Sequence, residues 1–246
     1  KIAFPTVTLL LWLALFALAL AALAAPRVGL LARWRRHRAA LAREQAENAL
    51  KHLLSQAAAG HAASLSSLQG VLRVDDRRLL ALTERLEREG LIRTDGTQFR
   101  LTAAGERAAL HVVRAHRLWE LYLADELGVP VGQVHAKAER VEHQLSPADL
   151  NRLSAAMGHP ATDPHGDPIP TPDGEMAGVP GTPLSAWPPG TPARIVHLED
   201  EPPLAYAQLT ALGLHLGQTV RIIDASPTRL VLSDGALTAD DRPRTM

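Results

Sequence analysis

Residues 7 to 25 read VTLLLWLALFALALAALAA, an apolar run with no charge in it. As a helix rising about 1.5 Å per residue it is roughly 28 Å long, close to the ~30 Å of a bilayer core. A secretory signal has a shorter apolar stretch, roughly 7–15 residues, behind a basic segment; a buried core helix is the other alternative. The run therefore predicts an N-terminal transmembrane helix within residues 1–26. Arg27, Arg33, Arg35, Arg36, Arg38 and Arg43 follow it, which places that side in the cytoplasm by the positive-inside rule. The same basic run also suits anionic headgroups or a solvated, membrane-proximal helix. The expected location is the cell membrane, with everything after residue 39 cytoplasmic. Residue 1 is Lys, so the chain is read as a piece of something longer.

Net charge is zero, so any attraction for a polyanion must come from a local surface. With no cysteine there is no disulfide, thiolate zinc site or thiol nucleophile. Histidine is plentiful at eleven, and its placement carries the argument.

Residues 39–59 are Ala-rich with Leu50, Leu53 and Leu54 on one side, and Gly60 is a stop. Ser64–Leu72 and Asp75–Glu89 each open on a capping residue, and the second ends at Gly90. LIRTDGTQFRLT (91–102) alternates around Asp95-Gly96, a hairpin signal because the turn needs positive φ. Helices followed by a hairpin make a winged helix-turn-helix pattern, one that binds protein in some chains and DNA in others. Three further helices are expected over 103–127, 131–144 and 146–157. Residues 158–193 are dense in Pro and Gly and predict an extended linker. ARIVHLED (193–200), QTVRIID (218–224) and RLVLSDG (229–235) read as strands around a short helix at 204–212, a small β-barrel of the SH3 kind.

Chemistry concentrates in the helices after the hairpin. HRLWE (116–120) places His116 and Glu120 four apart, on one helical face. VHAKAERVEH (134–143) places His135, Glu139 and Glu142 on one face, with His143 four after Glu139. Imidazole and carboxylate without thiolate suit Mn(II), Fe(II), Co(II), Ni(II) or Zn(II). A solvated charged face has the same spacing, and the residues alone leave both readings open. No nucleophile, phosphate loop or substrate-pocket signature accompanies them, so an enzyme is not expected.

From about residue 40 to 235 the chain resembles the DtxR/MntR family of metal-dependent repressors. The residues that carry this are HRLWE, VHAKAERVEHQLS (134–146) and GHPATDPHGDPIP (158–170), with LEDEPP (198–203) and LGLHLGQTVRI (212–222) similar to a FeoA/SH3-like module. The resemblance implies a mainly α fold. Its parts would be the transmembrane helix (1–26), a basic juxtamembrane linker (27–39) and a winged helix DNA-binding domain (40–103). A helical metal-binding and dimerisation domain (104–158), a Pro/Gly-rich linker (159–192) and an SH3-like domain (193–246) would follow. It also implies that His116, Glu120 and His135 form an ancillary metal site. Glu139, Glu142 and His143 would form a regulatory site, and Glu at 139 points to Mn(II) or Fe(II). Asn48 falls where the family takes a ligand from its first helix, usually Met or Asp; this departs from the pattern, and Glu47 is the adjacent substitute.

The resemblance further implies a homodimer on a palindromic double-stranded operator, with the second helix of the turn motif in the major groove. Arg73, Arg77, Arg78 and Arg93 are the candidate DNA contacts. Asp75 and Asp76 flank them, and residues 40–105 hold nine Lys/Arg against eight Asp/Glu, a thin charge for a phosphate reader. The first helix and PRVGLLARWRRHR (26–38) look like the end of a metal ABC transporter permease. Two functions follow: a membrane-tethered, metal-dependent repressor, or a metal-sensing domain that acts on transporter subunits without DNA.

Overall fold

The structure is a computed structural model that describes residues 3–25, 29–179, 181–226, 229–234 and 244–245. It opens with α1 (Ala3–Ala24) and α2 (Leu30–Ala58). The second half of α2 buries Ala46, Ala49, Leu50 and Leu53, recurring three and four apart as one helical face must. Ser64 caps α3 (Leu65–Leu72): its hydroxyl accepts from the Ser67 N–H while the Ser67 hydroxyl accepts from the Ser64 N–H. Asp75 caps α4 (Asp76–Arg88) by accepting from the Arg78 N–H at 2.9 Å.

The hairpin of β2 (Ile92–Asp95) and β3 (Gln98–Leu101) turns at Gly96, whose φ is +62°. β1 (Ala63–Ser64) pairs with the far edge of β3, giving the order β1-β3-β2. Leu68, Leu79, Leu86 and Ile92 close over the buried face of α2. This is a winged helix, with α4 as its second turn-motif helix and the hairpin as its wing.

α5 (Ala103–Asp125) leaves this core capped by Thr102, which accepts from the Gly105 N–H at 3.1 Å. A Cβ at Gly105 would lie 1.9 Å from the Leu91 carbonyl oxygen. Gly105→Ala is thus expected to destabilise the fold by about 1–3 kcal/mol, as forced overpacking does. A lowered urea midpoint at constant m-value checks this; an unchanged midpoint means the hairpin and α5 separate freely.

α6 (Val131–Ala138) is shorter than expected. The chain tightens through i→i+3 bonds, Val141 N–H to Ala138 O and Gln144 N–H to Val141 O, into a 3-10 turn at Glu142–Gln144. Ser146 and Asp149 then form the capping box of α7 (Pro147–Ala156). Ala115, Leu118 and Leu150 make the core between α5 and α7.

The C-terminal part comprises β4 (Pro192–Arg194), α8 (Pro203–Ala211), β5 (Thr219–Ser226), β6 (Arg229–Asp234) and β7 (Arg244–Thr245). Leu214, Val220, Ile222 and Leu232 form its core.

Three expectations need correction. The SH3-like β-barrel is not closed: the sheet runs β4-β5-β6-β7, and among the described residues its two outer strands do not pair with each other. Closure requires that pairing. The transmembrane helix is not upheld either, because among the described residues no helix is long and apolar enough to cross a membrane. Localisation at the cell membrane and identity with a permease's last helix lose their support with it. Finally, the supposed linker is not all extended: Asp163 and His165 are buried, and Thr162 bridges Pro168.

Candidate metal centre

His116 and Glu120 project from one face of α5 and are 5 % and 1 % exposed. Their spacing of four fixes the contact between them, His116 Nε2 to Glu120 Oε1 at 2.9 Å. His135 arrives from α6, with Nδ1 3.2 Å from the same Glu120 oxygen and its ring edge-on to His116 at 4.7 Å. The other nitrogen of His116, Nδ1, is hydrogen-bonded to Glu142 Oε2.

A second set shares Glu120. Arg117, next to His116, donates to the Pro168 carbonyl at 2.6 Å and to Asp167 at 3.0 Å, which fastens the 163–170 loop onto α5. Gly166 lets the segment after β4 approach: its φ is +91°, and a Cβ there would lie 2.2 Å from the Val196 carbonyl. The Leu198 N–H then bonds the His165 carbonyl at 3.0 Å. This brings Asp200 to 3.1 Å from His135 Nδ1 and 3.8 Å from His165 Nε2. His165 is 1 % exposed, and neither ring nitrogen makes a hydrogen bond among the described residues. A buried imidazole without a hydrogen-bond partner carries a desolvation cost that a bound cation would offset.

Among the described residues, donors of His116, Glu120 and His135 lie within 4.8 Å of one another, and so do those of Glu120, His165 and Asp200. The other expected ligands do not converge in this way. Glu139 caps α6 with its side chain 57 % exposed and faces His135 at 3.7 Å. Glu142 and His143 sit on the 3-10 turn with Nε2–Oε1 at 3.4 Å. From α2 it is Glu47, rather than Asn48, that reaches His143, at 2.6 Å. Lys51 Nζ donates to Glu142 Oε2 at 3.4 Å, and Arg43 bonds the His143 carbonyl. The winged helix is therefore tied to the site by three side chains of α2. His165 and Asp200 are the residues that sequence spacing missed. Both lay in segments quoted for their resemblance, TDPHGDPIP and LEDEPP, but far apart along the chain.

The electrostatics suit a cation. Burial would push Glu120 up, but its hydrogen bonds to His116 and His135 hold it at about 2. Hydrogen bonds to Asp200 and Glu120 raise His135 to about 10. Burial opposes the rise of His116, yet Glu120 and Glu142 keep it above the ordinary histidine value. Burial also opposes the lowering of Glu142, which His116 and Lys51 sustain. Mixed N/O donors of this kind fit Mn(II) or Fe(II).

The candidate DNA contacts are exposed. Arg77 and Arg78 lie in the first turn of α4, where Arg78 Nε is 3.3 Å from Asp75. Arg73 ends α3 at φ +52°. Arg93 on β2 stands opposite Arg100 on β3, a second wing arginine not anticipated from sequence.

Residues 102–171 match the family model described as iron dependent repressor, metal binding and dimerisation domain. The chain is 37 % identical over 131 residues to the iron-dependent repressor IdeR of Mycobacterium leprae, covering 48 % of this chain and 57 % of that one. It is 32 % identical over 151 residues to the diphtheria toxin repressor of Corynebacterium diphtheriae, covering 57 % and 67 %. A probable metal transport system membrane protein of Chlamydia trachomatis is 40 % identical over 83 residues, 34 % of this chain but 18 % of that protein. Among solved structures, a manganese-dependent transcriptional repressor in complex with manganese superposes with a TM-score of 0.68 at 29 % identity, over 80 % of this chain and 94 % of the other. The chain thus spans a little over half the length of the mycobacterial repressor. With its winged helix, its buried His/Glu centre and these likenesses, the chain belongs to the DtxR/MntR family of metal-dependent repressors.

Proposed function

We propose that this chain is a metal-dependent transcriptional regulator that binds Mn(II) or Fe(II) and, as a homodimer, a palindromic operator. The observation that carries the reading is Glu120, a buried carboxylate shared by two sets of His and acid donors. His116, Glu120 and His135 form one proposed site, and Glu120, His165 and Asp200 extend it. Glu142, His143 and Glu47 form the proposed regulatory site, with Glu139 and Asn48 at its edge. The proposed division of the chain is a winged helix over 40–103, a metal-binding and dimerisation domain over 104–158, and a C-terminal domain from 193.

A bound divalent ion would supply the positive charge that otherwise comes from protonated histidines. Glu47 and Lys51 lie on α2, the helix that floors the winged-helix core. Fixing Glu142 and His143 therefore fixes α2 and, through the shared core, the attitude of α4. Two such helices in a dimer meet two half-sites only at one spacing. By linkage, DNA must tighten metal binding by the same factor. Arg73, Arg77, Arg78 and Arg93 are the proposed contacts to the duplex.

The test is Mn(II) titration of the chain with a pool of labelled duplexes at fixed salt, against a Glu142→Ala, His143→Ala variant. Metal-switched, sequence-selective binding that the variant lacks supports the reading. Metal binding with no retained DNA favours the second one, a sensor acting on transporter subunits, for which the chlamydial likeness speaks. Equal metal binding by the variant removes Glu142 and His143 from the site.

A further inference from the structure

The N-terminal half of α2 projects beyond the winged-helix core. From Leu30 to Arg43 it carries Arg33, Arg35, Arg36, Arg38 and Arg43, and the first acid is Glu44. Arg33, Arg35, Arg36 and Arg38 are all exposed. Their directions follow from the helical period. The stripe of α2 that faces the core runs Ala42, Ala46, Ala49, Leu53, in steps of four, three and four. Continued backwards by four and then three, it reaches Arg38 and Arg35. These two arginines thus stand one and two turns past Ala42 on the face that packs against the winged helix. At Ala42 that face meets α4, since Arg85 Nη1 reaches the Ala42 carbonyl at 3.5 Å. Arg78 lies seven residues before Arg85 on α4, two turns away on the same stripe.

Arg38 is also held in place. Its guanidinium lies 4.8 Å over the Trp34 ring, a cation–π contact that restrains a long side chain before any partner arrives. α2 is rigidly part of the winged helix through Ala46, Ala49, Leu50 and Leu53, so the overhang moves with α4. Residues 40–105, by contrast, are almost neutral.

We infer that Arg35 and Arg38 grip the phosphate backbone of duplex DNA beside the helix that enters the groove, supplying charge that the winged helix itself lacks. This rests on the DNA-binding reading above. The contact is to phosphate, so it raises affinity for any duplex and carries no base preference. Arg33 points to the opposite side of α2 by the same period and is the comparison.

The experiment uses the full Mn(II)-loaded chain and a fluorescent random-sequence duplex, with affinity measured from about 50 to 200 mM salt. Each neutralised phosphate contributes about 0.9 to the log–log slope. Arg35→Ala with Arg38→Ala is expected to lower the slope by about two per protomer, while Arg33→Ala leaves it unchanged. Mn(II) affinity and the helical circular dichroism signal of all variants should match the parent, since neither arginine touches the metal centre. A parental slope in the double variant overturns the inference. So does loss of binding to phosphatidylglycerol vesicles with the DNA slope intact, which assigns the arginines to lipid headgroups. If the parent itself binds no duplex, the DNA-binding reading falls and takes this one with it; a parent that binds alongside an unchanged double variant sinks this inference alone.

Discussion

Replacing Glu120 with Ala is expected to lower Mn(II) affinity at least about 100-fold, beyond the 10–100-fold typical of residues that only support a ligand. No other residue belongs to both donor sets. Its Oε1 sits 2.9 Å from His116 and 3.2 Å from His135, at 1 % exposure, so water cannot replace it cheaply. Without it His116 keeps Glu142 and His135 keeps Asp200, but the two sets no longer share a centre. The metal-free protein should weaken too, by about 3 kcal/mol, because removing one member of a buried charged pair strands the other. Mn(II) electron paramagnetic resonance gives the affinity and urea unfolding the stability. Glu120→Gln keeps the shape while discarding the charge, and should lose metal with a smaller stability cost. Parental Mn(II) affinity in both variants would mean that neither donor set holds the ion.

Proton release on metal binding is the second large effect. His135 is raised to about 10 by Asp200 and Glu120, so it is protonated at neutral pH. A metal takes only the neutral imidazole, and that proton must leave. At least one proton per ion should therefore be released at pH 7, and log affinity should rise by about one per pH unit between roughly 6 and 8. Titration calorimetry in buffers of different ionisation enthalpy reads this directly; heats independent of buffer would remove His135 from the ligands.

The same shifts set the pH dependence of the metal-free fold. The raised His135 contributes stability fully below its ordinary value of 6.5, and the contribution is lost as pH rises through about 10. The lowered Glu120 contributes fully above 4.5 and loses its contribution as pH falls through about 2. Asp163 runs the other way. Burial and then Asp167 raise it to about 7, so its contribution is present below 3.8 and fades as pH climbs towards 7. Metal-free stability should accordingly decline above neutrality, and Mn(II), which needs no proton on His135, should reverse that decline.

Local rules made much of the chain legible. Ser64, Asp75, Thr102 and Ser146 cap helices where hydroxyl or carboxylate side chains precede an apolar period, and Gly96 marks the hairpin because its φ of +62° suits glycine, although the loop is Gly96-Thr97 and Asp95 still belongs to β2. His116 with Glu120 was equally legible, since a spacing of four along one helix is a contact whatever surrounds it. Sequence went astray where the answer depended on tertiary neighbours. A single periodic helix over 131–144 would have grouped Glu139 with Glu142; the chain tightens after Ala138 instead and sends them to different partners. Apolar alternation promised a closed barrel, but closure depends on whether the outer strands meet. His165 and Asp200 lie 45 and 80 residues beyond Glu120, the first in a stretch read as linker and the second at the end of a segment read as a strand. The Arg117 clamp, the bare Cα of Gly166, the bond from Leu198 to His165 and the contact of Asp200 with His135 fold these segments onto α5 and α6. Sequence by itself determined the donor types and the helix that presents the first two. The tertiary structure decided which distant carboxylate and imidazole complete the centre, because convergence of that kind comes from packing and has no period along the chain.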